Sequence, residues 1–238
     1  MKTNQPLRVA ITGGTSGLGL ALVREGHERG ARVAFVARDA ARVARVQAQL
    51  VGTHGIAGDV SAKDDIHRIA LQVLGALGGL DVLVNNASSL GPVPLALLAD
   101  TECEAFEEAL ATNLLGPLRL TRALLGALAA AARERRGAVV LNVSSDAAVN
   151  AYPRWGAYGA SKAALLHASR IWDAELAGSG LRVLALDPGD MDTPLHALAV
   201  PDADPASLKP PAVAARELAG AIEAALRAAR AQTEGATA

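Results

Sequence analysis

Tyr158 and Lys162 stand four residues apart in Tyr158-Gly159-Ala160-Ser161-Lys162, and Ser145 precedes the tyrosine by thirteen residues. Positions four apart share one face of a helix, so a phenol and an ammonium lie side by side. With a hydroxyl arriving from a strand end, three polar groups can converge on one carbonyl oxygen and hand it a proton. A free phenol titrates at about 10, too high for work at neutral pH, and a neighbouring cation lowers it. The spacing therefore predicts a depressed Tyr158 pKa, with Lys162 as the main cause.

A hydride source is suggested at the amino end by Thr12-Gly13-Gly14-Thr15-Ser16-Gly17-Leu18-Gly19. Glycines at 13, 17 and 19 fit a tight turn, a close pass of backbone to a pyrophosphate, and helix packing on a strand. The helix that follows points its amides and its positive dipole end at that phosphate. Further along, Arg38-Asp39 follows Phe35-Val36-Ala37, with Arg38 nineteen residues after Gly19. An acid there accepts the ribose hydroxyls of NAD, whereas an arginine pairs with the 2′-phosphate of NADP. Arg38 favours NADP; Asp39 keeps NAD open.

Elements able to hold these groups are legible as short apolar, β-branched runs alternating with helical periodicity, the pattern of a parallel sheet covered on both faces. Strands are expected at Leu7–Thr12, Ala31–Ala37, Gly55–Val60, Leu80–Asn85, Ala138–Ser144 and Leu181–Asp187. Helices are expected at Gly17–Arg29, Ala40–Leu50, Lys63–Leu77, Glu102–Arg133 and Ala157–Ala177, the fourth bent at Gly116-Pro117 because proline removes an interior hydrogen bond. Ser61 and the run Asp100-Thr101-Glu102 read as helix-start signals. Past Thr193 the prolines at 194, 201, 205, 210 and 211 predict a substrate loop over residues 190–212, then a closing helix from about Val213 to Arg230. The polar residues 232–238 predict a disordered tail.

The chain has 238 residues, 51% of them hydrophobic, enough for one large core; residues 1–238 are read as a single dinucleotide-binding and catalytic domain. With 23 basic and 24 acidic residues the net charge is −1, which gives no reason to expect a nucleic-acid or anionic-membrane partner. Cys103 is the one cysteine, so no intrachain disulfide framework exists. No secretory signal is visible, and apolar stretches such as Leu71 to Val84 are interrupted before the ~20 residues a span needs. A cytoplasmic protein is expected. His27, His54, His67, His167 and His196 lack metal-ligand spacing, so no metal is expected.

Together, the glycine turn, Ser145, Tyr158 and Lys162 make the chain resemble the short-chain dehydrogenase/reductase family from about Leu7 to Thr193. That resemblance implies an α/β fold, a single-domain Rossmann-like doubly wound parallel sheet. Six strands are expected, because the family's seventh strand, with its closing Asp-Gly-Gly, is missing or degenerate here. It also implies roles for particular residues. Ser145 rather than Ser144 matches the family's serine-to-tyrosine interval, and Asn113 matches its catalytic asparagine, whose side chain helps hold water beside the lysine. Cofactor contacts are implied for Gly13, Thr15, Ser16, Gly17, Leu18, Gly19, Arg38, Asp59, Val60, Asn86, Ala87, Tyr158, Lys162, Pro188, Gly189, Met191 and Thr193. Asp59 takes the adenine amino group, and Pro188-Gly189 through Thr193 resembles the segment that holds the nicotinamide amide. Asn85-Asn86-Ala87 resembles the family's Asn-Asn-Ala-Gly, with Ser88 in place of the glycine.

The activity so implied is hydride transfer between NADP(H), with NAD possible, and a small carbonyl or alcohol, Tyr158 serving as proton donor and acceptor. The substrate is bounded by residues 88–98, 146–157 and 190–211, with Tyr152, Trp155, Met191, Leu195 and His196 as candidate walls. A homodimer or homotetramer is implied, the long helices Glu102–Arg133 and Ala157–Ala177 offering the face. The contrasting possibility is an NAD(P)-sensing regulator of the same fold without turnover; it has no need to keep Ser145, Tyr158 and Lys162 together.

Overall fold

A computed structural model of the chain describes residues 5–235. Its six strands are β1 (Arg8–Thr12), β2 (Arg32–Ala37), β3 (His54–Ala57), β4 (Val82–Asn85), β5 (Ala138–Val143) and β6 (Leu181–Leu186). They form one all-parallel sheet in the order β3-β2-β1-β4-β5-β6. Helices α1 (Gly17–Glu28), α2 (Ala40–Gln49), α3 (Asp65–Leu77), α4 (Cys103–Leu110), α5 (Gly116–Arg133), α6 (Gly156–Glu175), α7 (Pro194–Ala199) and α8 (Pro211–Gly235) complete it. The doubly wound α/β fold with six strands is therefore as expected.

Alternation along each strand sends side chains to two cores. Ala10, Leu83 and Val140 face α3 and α5, where Ile69, Val73, Leu120 and Leu124 meet them. Ile11, Val84 and Leu141 face the other way, toward Leu22 and Val23 of α1 and Leu218 and Leu226 of α8. In place of a seventh strand, α8 closes this face. The strand order reverses between β1 and β4, and the crevice at the carboxyl ends of those strands is where a doubly wound sheet binds its ligand.

At the opposite end of the sheet Asp81, fully buried just before β4, receives Arg136 Nε and Nη2 at 2.8 and 2.7 Å and Arg8 Nη2 at 2.8 Å. The Arg8 amide adds 2.9 Å. These guanidiniums hold the carboxylate ionised and its pKa below the ordinary value despite the opposing desolvation, which is the largest single influence. The cluster ties β1, β4 and the end of α5 together beneath the crevice.

Several local expectations are corrected. β3 stops at Ala57 rather than Val60, because Asp59 turns its carboxylate back onto the Ser61 amide and hydroxyl at 2.9 and 2.7 Å. Ser61 therefore caps no helix; α3 starts at Asp65, and Asp64 before it makes no side-chain cap bond. Thr101 likewise gives its hydroxyl to the Leu97 carbonyl, and α4 begins without a side-chain cap.

The long fourth helix breaks at a π turn, Ala111–Leu115, upstream of the expected proline. Pro117 lies in the first turn of α5, directly after the π turn. Gly116 is required at this break, since a Cβ there would sit 2.8 Å from the Val60 carbonyl oxygen. Contrary to the expectation that no stretch would qualify, Cys103–Arg133 is long and apolar enough to cross a membrane by length and composition. Here its apolar residues Leu120, Leu124 and Leu128 are buried in the core.

In the 190–212 segment, expected as loop, Thr193 accepts from the His196 amide and Pro194 follows, so α7 forms. This pairing of an N-cap threonine with a proline at the first helical position was a readable signal. The expected tail from residue 232 is helical through Gly235; residues 236–238 lie outside the described residues.

Candidate active site

The glycine turn leaves β1 at Thr12 and enters α1 at Gly17. Gly13 has φ +73°, a left-handed value that penalises any side chain. Gly19 is packed so closely that a Cβ would collide with the Gly13 carbonyl oxygen. Thr12 locks the turn to the loop after β4: its hydroxyl accepts from the Asn86 and Ala87 amides, both at 3.0 Å, and its carbonyl accepts from Asn86 Nδ2 at 2.9 Å. Asn85 points the other way, into the core, donating to Asn142 and Thr121. Ser16 makes no capping bond. The opening of α1 therefore keeps amides for an anion.

All of the residues implicated by sequence line one cleft of about 1090 Å³, with the exception of Asn113. Arg38 and Asp39 after β2, Arg42 of α2 and Asp59 after β3 line it together with Ser145, Tyr158 and Lys162 and with residues of the segment from Asp187 to Thr193 after β6. Each of the five candidate wall residues lines it too. Asp39 is engaged by α2: its carboxylate accepts from the Arg42 amide at 3.0 Å and pairs with the Arg42 guanidinium at 3.3 Å. Arg38 is exposed on the rim.

Tyr158 and Lys162 are buried, 8% and 2% exposed, on the face of α6 that meets the end of β5. Lys162 Nζ donates to the Val143 carbonyl at 2.8 Å and lies 5.5 Å from the Tyr158 ring centroid. Ser145, just past β5, accepts from the Ala147 amide at 3.2 Å and donates to Asp146 Oδ1 at 3.1 Å. Asp146 Oδ2 in turn accepts from the Tyr152 hydroxyl at 2.6 Å. Ser144, the rival serine, is 6% exposed, and its hydroxyl has no hydrogen-bond partner among the described residues.

The expected fall in the phenol pKa is not met. Burial pushes Tyr158 up to about 12, with Asp187 and Asp146 adding to the rise, and hydrogen bonding from Ser145 and Ser88 only partly offsets it. Lys162 goes the opposite way: burial pulls its pKa down to about 8, against a raising influence from Asp187. Desolvation of the charged form drives both shifts.

A family model for short chain dehydrogenases matches residues 8–204, most of the chain. The chain belongs to the short-chain dehydrogenase family. Among relatives of this dehydrogenase, mouse L-fucose dehydrogenase is 33% identical over 198 residues, spanning 83% of this chain and 70% of the relative. A 3-ketoacyl-(acyl-carrier-protein) reductase from Brucella melitensis, solved with NADH, superposes with a TM-score of 0.82 at 29% identity, covering 89% of this chain and 88% of that one. An alcohol dehydrogenase from Thermococcus sibiricus, solved with 5-hydroxy-NADP, gives 0.80 at 26% identity, with 92% and 91% covered.

For this short-chain dehydrogenase, the placement of Asn113 corrects the water-holding reading of its side chain. The residue is fully buried in the π turn. Its Oδ1 accepts from the Ser89 amide at 2.8 Å and the Ser88 hydroxyl at 3.1 Å, and its Nδ2 donates to the Ser89 carbonyl at 2.7 Å and Ser161 Oγ at 2.8 Å. Two donors and two acceptor bonds use up the amide. Asn113 therefore fastens the loop after β4 to α6, beside Lys162, and leaves no side-chain valence for water.

Other contributors were not singled out as such. Asp187 adds a raising influence on both Tyr158 and Lys162. Lys209 bonds the Pro188 carbonyl at 3.0 Å and Glu217 at 2.7 Å, and its backbone bridges Met191, so the two ends of the 190–209 segment are tied together. No local pattern announces a lysine that pairs across twenty residues. Among the described residues, no cluster of three metal-ligating side chains is found.

Proposed function

We propose that the chain is an NADP(H)-dependent oxidoreductase that interconverts a small carbonyl compound and its alcohol, with Tyr158 as proton donor and acceptor. The observation that carries this reading is the shared cleft: the phenol, Ser145 and Lys162 line the same cavity as the glycine turn, so a proton and a hydride can reach one substrate.

The residues present fit a dinucleotide. Gly19 leaves no room for a side chain between the turn and Gly13, the free amides of α1 suit a pyrophosphate, and the cavity exceeds what a small ligand alone requires. Gly13 and Thr15 to Gly19 would hold the phosphates, Asp59 and Val60 the adenine end, and Asn86, Ala87, Pro188, Gly189, Met191 and Thr193 the nicotinamide end. Arg38 and Arg42 line the cleft where the adenosine ribose would lie, and Asp39 is engaged by α2; this arrangement supports a 2′-phosphate and hence NADP. Bound there, the reduced cofactor supplies a hydride to the carbonyl carbon.

The protein's own part is to bind, orient and protonate. Ser145 places its hydroxyl against the substrate oxygen. Tyr158, its pKa raised to about 12, is a neutral phenol at physiological pH and so stands ready to give its proton as negative charge develops on that oxygen. Lys162, held beneath it by the Val143 carbonyl, offers positive charge to the resulting phenolate. In the alcohol-oxidising direction the same phenolate takes the hydroxyl proton. The test is oxidation of NADPH and, separately, NADH over a panel of ketones and aldehydes, beside Tyr158→Phe and Arg38→Ala. Turnover should vanish in the first variant, and the second should weaken NADPH more than NADH. Turnover that survives Tyr158→Phe refutes the reading, and so does an inability of wild type to bind either cofactor.

A further inference from the structure

A serine that must donate to a substrate carbonyl oxygen should have its proton available, yet here the Ser145 hydroxyl donates to Asp146 Oδ1 at 3.1 Å. That carboxylate is fixed, not wandering, because the Tyr152 hydroxyl holds its other oxygen at 2.6 Å. Ser145 Oγ and Asp146 Oδ1 thus present two oxygens side by side in the cleft. The two oxygens of a staggered vicinal diol, or of an α-hydroxy carbonyl, also lie about one hydrogen-bond length apart, ~2.8 Å.

We propose that the substrate is an uncharged α-hydroxy carbonyl or the corresponding vicinal diol, its second hydroxyl recognised by Asp146. This assignment rests on carbonyl chemistry at Tyr158 and names the substrate class for that same site. The neighbouring hydroxyl donates to Asp146 Oδ1 in place of Ser145, and Ser145 turns its released proton to the reacting oxygen. A substrate without that hydroxyl leaves Ser145 held by a carboxylate, the stronger acceptor. Recognition and activation of the serine are then one event.

Charge and shape in the lining agree. Glu108, Asp146 and Asp190 line the cleft, whereas its cations are Arg38 and Arg42, beside Asp39 and Asp59, and the buried Lys162 held by Val143. An anionic substituent near the reacting carbon meets carboxylates, and the imidazole in the lining, His196, already faces one of them, Asp190, at 3.9 Å. Trp155 stands edge-to-face against Tyr158 at 5.5 Å and packs in a small apolar cluster with Leu90, Leu195 and Ala199, giving the carbon skeleton a dry wall.

The experiment compares kcat/KM of the full chain for 2-hydroxycyclohexanone against cyclohexanone and for dihydroxyacetone against its phosphate ester, in wild type, Asp146→Ala and Tyr158→Phe. Wild type should favour the hydroxy ketone by about 10- to 100-fold, the worth of one hydrogen bond to a carboxylate, and Asp146→Ala should bring that ratio to within about 3-fold of one. The phosphate ester should be the poorer of its pair. Equal rates for the two cyclohexanones in wild type overturn the assignment, as does a ratio that survives Asp146→Ala, which is what a merely structural Asp146 predicts. Turnover of both ketones that persists in Tyr158→Phe instead defeats the underlying reading of the site. If neither ketone turns over, the fluorescence of the NADP-loaded Trp172→Phe variant, in which Trp155 is the remaining tryptophan, is titrated with the same pair: a response to the hydroxy ketone alone supports the assignment, and an equal or absent response overturns it.

Discussion

Replacing Lys162 with methionine and following stability against pH isolates what it costs to keep an ammonium beneath Tyr158. Lys162 is 2% exposed and has the Val143 carbonyl at 2.8 Å as its acceptor. Burial brings its pKa from 10.5 to about 8. Below pH 8 the lysine is charged in the folded and the unfolded chain alike, and the folded state bears the full desolvation. Above that value the folded lysine has lost its proton while the unfolded one keeps it, so the unfolded state binds more protons and stability rises with pH. The stabilisation is complete above the unfolded value of 10.5 and disappears as pH falls through about 8.

Integrated from pH 7 to pH 10, these two pKa values give a gain of about 2.5 kcal/mol. Tyr158, raised from 10.0 to about 12, acts with the opposite sign, losing stability as pH climbs, but by only about 0.4 kcal/mol at pH 10. Urea unfolding of wild type and Lys162→Met, extrapolated linearly at steps from about pH 7 to 10, reads the difference directly. Wild type should gain about 2.5 kcal/mol on the variant across the range. Methionine leaves the Val143 carbonyl without its donor, which offsets the variant by about 1–3 kcal/mol at every pH and leaves the slope intact. A flat difference refutes the claim that Lys162 is held against its solvation. A falling one would mean that the site stabilises the cation in the absence of ligand.

Asp81→Ala strands Arg8 and Arg136 beneath the sheet and should cost about 3–5 kcal/mol, a melting shift of roughly 6–20 °C for a chain of this size, whereas Asp173→Ala, which breaks the half-exposed pair with Arg182, should cost about 1 kcal/mol or less. Equal shifts in the two would contradict the burial argument. Asn113→Ala should lower activity and also stability, by about 2–3 kcal/mol, because the Ser89 amide and the Ser161 hydroxyl lose buried partners; lost activity at an unchanged melting temperature would restore the water-holding role. Gly19→Ala should weaken NADP(H) binding more than about 10-fold, measured by fluorescence titration, since its methyl collides with the Gly13 carbonyl and pushes the phosphate turn apart; unimpaired binding would place the cofactor elsewhere.

The strands themselves were readable because strands buried on both sides need unbroken apolar runs, and Val82–Asn85 or Ala138–Val143 has no other use for its composition. The cleft was readable for a related reason: in a doubly wound sheet the glycine turn after β1, Ser145 after β5 and the segment after β6 must all emerge at one end. What escaped was whatever depends on partners distant in the chain. The π turn at Ala111–Leu115 exists where Gly116 meets the Val60 carbonyl, and the saturation of Asn113 depends on Ser88, Ser89 and Ser161. Neither leaves a mark on the local pattern.

The failed expectation for Tyr158 shows the same limit in electrostatic form. Four-residue spacing correctly puts the phenol and the ammonium on one face of α6, but spacing does not say what else that face meets. It meets the end of β5, where the Val143 carbonyl takes the Lys162 donor, and a low-dielectric wall that disfavours both charged forms. Burial thus drives the two groups toward neutrality together: Tyr158 retains its proton and Lys162 gives one up more readily. A site poised in this way has a phenolic proton to donate, while Lys162, still charged below about pH 8, keeps the positive charge that the resulting phenolate needs.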